Sequence, residues 1–222
     1  MKRITLFAGH YGSGKTNIAL NYARRLKLLG EKVAIADLDI VNPYFRTQDS
    51  ATALAAEGIE LVVSQFANSN VDFPAMPKEA YALVADRSRK VVIDVDGDDR
   101  GALALGRYVP EILAENDYEM LAVVNASRPL TRTAHDAISV LREIEQSAGL
   151  KFTGVVNNTN LGPETTAEYV LNYADYASEI AEKLGVPVRF VAVDERLSDE
   201  LAGKIENLLP LTIQRLYYHL EK

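Results

Sequence analysis

Two groups of residues have types and spacing that could do chemistry together. One is a glycine-rich loop with a lysine and a hydroxyl at its far end. The other is a set of aspartates placed where strands should stop. The loop reads Gly9-His-Tyr-Gly-Ser-Gly14-Lys15-Thr16, which fits G-x-x-x-x-G-K-[ST] without a mismatch. Glycine lets the backbone take positive φ and approach an anion closely. Main-chain N–H groups of Gly12, Ser13, Gly14, Lys15 and Thr16, with Asn17 in the helix that follows, can then converge on phosphate oxygens. The helix N-terminus adds its partial positive charge. Lys15 brings a full charge toward the β- and γ-phosphates, and Thr16 offers a hydroxyl to Mg²⁺. The ligand implied is a magnesium-bound nucleoside triphosphate.

A metal and an attacking water need carboxylates, and ligands of open α/β sheets gather at the carboxyl ends of strands. The stretch VAIADLDIVNPYFR carries Asp37 and Asp39. Two residues apart on an extended chain, they point to the same side. The stretch KVVIDVDGDDRGA carries Asp94, with Gly97 three residues on. Asp94 reads as the carboxylate that holds Mg²⁺ through water, and Gly97 as a backbone donor to the γ-phosphate in a D-x-x-G arrangement. Asp39 reads as the group that orients the hydrolytic water and as a further metal candidate, with Asp37 in support. Lys15 and Asp39 are therefore the candidate catalytic residues. Thr16, Asp39 and Asp94 are the candidate metal ligands.

The elements that must position these groups are legible from hydrophobic runs. Segments 4–8, 32–37, 59–64, 90–94, 120–125, 152–157 and 188–193 predict strands, most of them apolar throughout rather than alternating, as when helices cover both faces of a parallel sheet. Helical periodicity predicts helices over 15–29, 47–57, 78–89, 101–115, 131–148, 164–184 and 199–220. Gly30, Gly58, Gly149 and Gly185 stand where helices should end. The alternation predicts an α/β fold: a doubly wound, mostly parallel sheet of about seven strands in a single domain over 1–222. The connection 64–78 is long and without clear period, as functional loops often are.

Composition narrows the rest. Of 222 residues, 48 % are hydrophobic and 25 % charged, and the net charge of −7 argues against a broad nucleic-acid surface. The chain has no cysteine, which excludes disulfides, thiolate zinc sites, cysteine nucleophiles and cysteine-held iron–sulfur clusters. No segment has the length of a membrane span. In the C-terminal stretch LLPLTIQRLYYHLEK, Arg215, His219 and Lys222 are offset by Glu221, so membrane attraction is weak. A cytoplasmic location is the expectation.

Taken together, these motifs resemble the MinD/ParA group of P-loop ATPases, within the SIMIBI class, over most of the chain. GHYGSGKT is similar to the group's phosphate loop, IADLDIVNP to its first switch and VVIDVDG to its second. The resemblance implies hydrolysis assisted by Asp39. FTGVVNNTN resembles the strand whose terminal asparagine contacts adenine, which implies Asn157 as a base contact. No N-K-x-D guanine reader occurs. The implied cofactors are ATP and Mg²⁺, and the implied partners are the nucleotide, an unknown protein and a second copy in a homodimer. His10 stands where the group has a lysine that crosses to the partner's nucleotide, so this chain lacks that contact. Arg46 and Arg100 lie near the switches as alternative cations, although no evident arginine finger exists. The expected function is a nucleotide-dependent switch with slow turnover. Two alternatives stay open: an ATP-dependent ligase or kinase acting on a small molecule, on the dethiobiotin synthetase pattern, and a nucleotide-bound scaffold with negligible turnover.

Overall fold

The computed structural model describes residues 1–38, 51–63, 84–95, 105–106 and 108–213. Asp39, Arg46, Gly97, Arg100 and the long connection 64–78 lie outside the described residues. In chain order the strands are β1 (Ile4–Ala8), β2 (Val33–Asp37), β3 (Glu60–Val63), β4 (Lys90–Asp94), β5 (Tyr118–Val124), β6 (Gly154–Asn157), β7 (Val188–Asp194) and β8 (Leu208–Leu211). They form one sheet in the order β3-β2-β4-β1-β5-β6-β7-β8, with every pair parallel.

The described helices are α1 (Lys15–Leu28), α2 (Ala51–Ala56), α3 (Val109–Glu115), α4 (Ala134–Ala148), α5 (Ala167–Asn172), α6 (Ala174–Leu184) and α7 (Ser198–Leu201). Successive strand residues point to opposite faces, and both faces are covered here. Leu6, Ile93, Ala122 and Val155 pack on one side with Ile112 of α3, Leu141 of α4 and Ile180 of α6. Phe7, Ile35, Val92, Val123 and Val156 pack on the other with Ile18 and Leu26 of α1. This double burial explains why most of the strand sequences are apolar runs rather than alternating.

Two helix expectations are corrected. Among the described residues the sheet has eight strands, and the helix predicted over 199–220 is replaced there by the short α7 and then β8. Pro210, which would remove a helix hydrogen bond and clash with the preceding turn, is exposed on this edge strand, where proline is tolerated. Leu209 and Leu211 of β8 are buried in the same core as α1. The helix predicted over 164–184 is two helices. Tyr173 leaves helical geometry between them (φ −108°, ψ 16°), and its carbonyl accepts the Asn157 side-chain amide at 3.0 Å.

The topology fixes where ligands can bind. The chain builds β2, β3 and β4 on one side of β1, then crosses to β5 on the other. The loops leaving β1 and β5 therefore stand at the point where the strand order reverses, the crevice that open α/β sheets use.

Candidate functional site

The phosphate loop owes its path to contacts that admit no side chain. Gly9 passes so close to β5 that a β-carbon would lie 2.3 Å from the Val123 carbonyl oxygen. Gly14 is left-handed (φ 95°, ψ 19°) and caps α1. A β-carbon there would lie 2.2 Å from Asn158 Nδ2. Asn158, in the loop after β6, donates that same nitrogen to the Ser13 carbonyl at 2.6 Å. The loop is thus stapled from β5 and β6 at once. With glycine as the cap and no acid in the first turn, no side chain competes for the first amides of α1, as an anion site requires.

Lys15 is 7 % exposed and lies back along the loop, its ammonium 3.4 Å from the His10 carbonyl. The Ser13 amide donates to the same oxygen at 3.1 Å. His10 feels this arrangement: burial, and then the Lys15 charge, hold its imidazole below the ordinary value of 6.5. It is therefore a neutral group near pH 7.

Thr16 donates its hydroxyl to Asp94 Oδ2 at 2.6 Å. Asp94 ends β4, and both residues are buried. Asp37 ends β2 directly beside Asp94 in the strand register and is buried too. A hydroxyl, a buried carboxylate and a nearby second carboxylate suit Mg²⁺, a hard cation that takes few protein oxygens and keeps several waters. Among the described residues, no group of three or more His, Cys, Asp or Glu forms a complete protein cage. The donor set fits an ion that completes its shell from phosphate and water.

A cavity of about 570 Å³ opens beside the loop, within the range of nucleotide-sized sites. Gly12, Gly14 and Asn17 form one wall, and Asn158, Thr159 and Asn160 form another. Leu211 and Ile213 give an apolar patch, and Asp194, Arg196 and Arg128 add charge. Arg196 is committed to protein: its guanidinium meets Asp194 at 3.2 Å and the carbonyls of Pro163 and Thr165 at 3.0 and 2.6 Å.

The structure brings Gly12, Ser13, Gly14, Lys15, Thr16, Asn17 and Asp94 to one place. Asn157 lies below the cavity wall. Its amide nitrogen goes to Tyr173, and its oxygen accepts the Thr159 amide at 3.0 Å, so it shapes the loop whose next three residues face the cavity. Asp39 and Gly97 lie outside the described residues. Sequence reasoning did not single out Arg128, Asn158 or Asn160. The available signal was positional: each comes within three residues of the end of a predicted strand, the end that Asp37 and Asp94 hold in theirs.

Fold and loop geometry define the class: an α/β fold of the P-loop NTPase type. No protein-family model matches the chain, and no curated protein matches it significantly. Solved structures do. FtsY from Mycoplasma mycoides superposes with a TM-score of 0.60 at 20 % identity, covering 88 % of this chain and 62 % of that one. Chloroplast FtsY from Physcomitrella patens gives 0.59 at 22 % identity, covering 88 % and 59 %. The signal recognition particle 54 kDa protein from Aeropyrum pernix, solved in complex with GDP, gives 0.55 at 18 %, covering 86 % and 41 %. The chain therefore spans less than two thirds of these proteins, and what it shares with them is the fold. Among the described residues, no helix is long and apolar enough to cross a membrane.

Proposed function

We propose that the chain is a Mg-ATP-binding P-loop ATPase of MinD/ParA type, working as a nucleotide-dependent switch. The observation that carries this reading is the joining of Thr16 to Asp94 at 2.6 Å beside a glycine-capped helix N-terminus whose first amides no side chain caps. Lys15 leaves the His10 carbonyl for the β- and γ-phosphates, exchanging a neutral acceptor for a charged one. The loop amides and the α1 N-terminus bind the phosphate chain. Thr16 and Asp94 would hold Mg²⁺, which would supply charge neutralisation for phosphoryl transfer. Asp39 orients the attacking water. Catalysis is then mostly fixed electrostatics, with little protein reorganisation during the reaction.

ATP is proposed over GTP because the sequence contains no N-K-x-D and because the MinD/ParA resemblance implies Asn157 as an adenine contact. A protein partner, or a second copy of the chain, reads the triphosphate state through the segments that follow Asp37 and Asp94. Phosphate release measured with Mg²⁺ and either ATP or GTP tests the reading. ATP turnover above GTP turnover supports it. The reverse preference overturns the base assignment, and absence of nucleotide affinity in folded protein overturns the whole.

A further inference from the structure

The phosphate loop 9–16 contains one permanent cation, Lys15, and His10 is held neutral. A magnesium-bound triphosphate keeps a net negative charge, so a single ammonium leaves part of it unmatched. Two arginines line the cavity. Arg196 is spent on Asp194 and two carbonyls. Arg128 is not: its Nε donates to the Gly12 carbonyl at 2.7 Å, and the structure gives its guanidinium no other hydrogen bond or ion pair among the described residues. A guanidinium has five N–H donors, so the four on its terminal nitrogens are uncommitted.

The placement of Arg128 is built rather than incidental. It sits in the loop after β5, which starts with Asn125, a buried residue. Asn125 accepts the Ser127 amide on its side chain at 2.9 Å and the Thr131 hydroxyl on its carbonyl at 3.1 Å. The Arg128 amide also donates to that carbonyl, at 3.2 Å. Ser127 is further tied to Tyr169 of α5 through their hydroxyls at 3.0 Å. A fixed backbone thus carries the side chain across to the phosphate loop. There the guanidinium Nε lies 3.6 Å from where a side chain on Gly12 would begin, at van der Waals distance from the loop.

We infer that Arg128 is the second cation of the polyphosphate site: docked on the Gly12 carbonyl through Nε, it presents its terminal nitrogens to phosphate oxygens on the Gly12 flank of the loop. The charge comes from the same chain and so needs no neighbouring molecule. A planar fork anchored at one nitrogen is already oriented, so little side-chain freedom is lost when the others engage phosphate. The inference rests on the proposed nucleotide site.

Calorimetric titration of Mg-ATP into Arg128→Ala, Arg128→Gln, Arg128→Lys and Lys15→Ala tests it, with thermal unfolding recorded without nucleotide. Arg128→Gln keeps a donor that can reach the Gly12 carbonyl and removes the charge, which separates phosphate contact from support of the loop. Arg128→Gln and Arg128→Ala are expected to weaken Mg-ATP binding about tenfold or more, the scale of one lost charge-assisted contact. Arg128→Lys is expected to recover part of the loss, and unfolding of Arg128→Gln to match the parent. The dependence of affinity on salt should also flatten in the charge-removing variants. Wild-type affinity in Arg128→Gln, or equal losses in Arg128→Gln and Arg128→Lys, would overturn the role. If Lys15→Ala loses binding while Arg128→Gln does not, this inference alone falls. If the parent protein binds no nucleotide, both it and the proposed function fall.

Discussion

Thr16 donates its hydroxyl to Asp94 across 2.6 Å, tying the first turn of α1 to the end of β4. Strand register places Asp94 beside Phe7 of β1 on one side and Asp37 of β2 on the other. The bond therefore sets the depth at which the phosphate loop sits over the sheet. Removing the hydroxyl in Thr16→Ala takes a charge-assisted bond from a buried carboxylate, at a cost of about 1–3 kcal/mol in folding stability. The more telling effect is on metal linkage. In the parent, Mg²⁺ should tighten ATP binding. In Thr16→Ala and Asp94→Asn that increment should shrink, while affinity in chelator stays within about twofold of the parent, a small free-energy change. An undiminished Mg²⁺ effect in both variants would remove these residues from the metal site.

Lys15→Ala should lower affinity for the triphosphate about thirtyfold or more, from loss of a charged contact worth about 2–3 kcal/mol. The fold should change little, because the only hydrogen bond the ammonium makes among the described residues is a long one to the His10 carbonyl. Titration calorimetry and a denaturant melt on the same sample check both halves.

Gly14 and Asn158 make a reciprocal pair. Gly14→Ala forces a β-carbon into left-handed backbone (φ 95°), which costs about 1–2 kcal/mol for an L-residue. It also pushes that carbon to 2.2 Å from Asn158 Nδ2. Asn158→Ala alone loses the 2.6 Å bond to Ser13, worth about 1 kcal/mol. In combination, the second change relieves the clash of the first, so the double variant should be more stable than the sum of the two singles. Additive losses in urea unfolding would show that a β-carbon on Gly14 does not press on Asn158.

Most of the frame around these contacts was legible, because a doubly covered parallel sheet writes most of its strands as apolar runs. Gly9–Thr16 and Asp94 were legible for a related reason: each is a local pattern next to such a run. The partners of the loop were not. Arg128 meets Gly12 across 116 positions of sequence and Asn158 meets Ser13 across 145. Only the adjacency of β5 to β1 and the return of β6 bring them together. Asn157 and Asn158 show how finely side-chain direction decides a role. They are neighbours of the same type, yet one turns to Tyr173 below and the other to the phosphate loop above, as alternation along a strand end requires. Strand β8 was hidden because Leu208, Leu209 and Leu211 also suit a helical stripe. Pro210 was the sign against helix, and the lesson is that a proline outranks a plausible hydrophobic period.

His10 gives a pH signature. Its folded-state value is below 6.5, first through burial and then through Lys15, so between that value and 6.5 the unfolded chain binds more protons than the folded one. Stability then rises with pH across this window. The contribution is fully present above 6.5 and is lost as pH falls through the folded value. Urea unfolding of the nucleotide-free protein between pH 8 and 5 should show a steeper acid-side loss in the parent than in His10→Gln. Parallel curves would mean that His10 titrates as it does in the unfolded chain.

Asp39→Ala separates binding from turnover. The proposed role of Asp39 is to orient water, which matters in the transition state and little in the bound ground state. A change of this kind lowers kcat and kcat/KM together and leaves substrate affinity in place. We expect Mg-ATP affinity within about threefold of the parent and phosphate release slowed about tenfold or more, the lower end of what a positioned base or water-orienting group contributes. Equal turnover would transfer the role to another group. Lost affinity together with lost turnover would mark Asp39 as a direct metal ligand instead. The two results are distinguished by repeating the titration in chelator, where a metal-ligand variant and the parent converge and a variant altered only in water orientation never diverged.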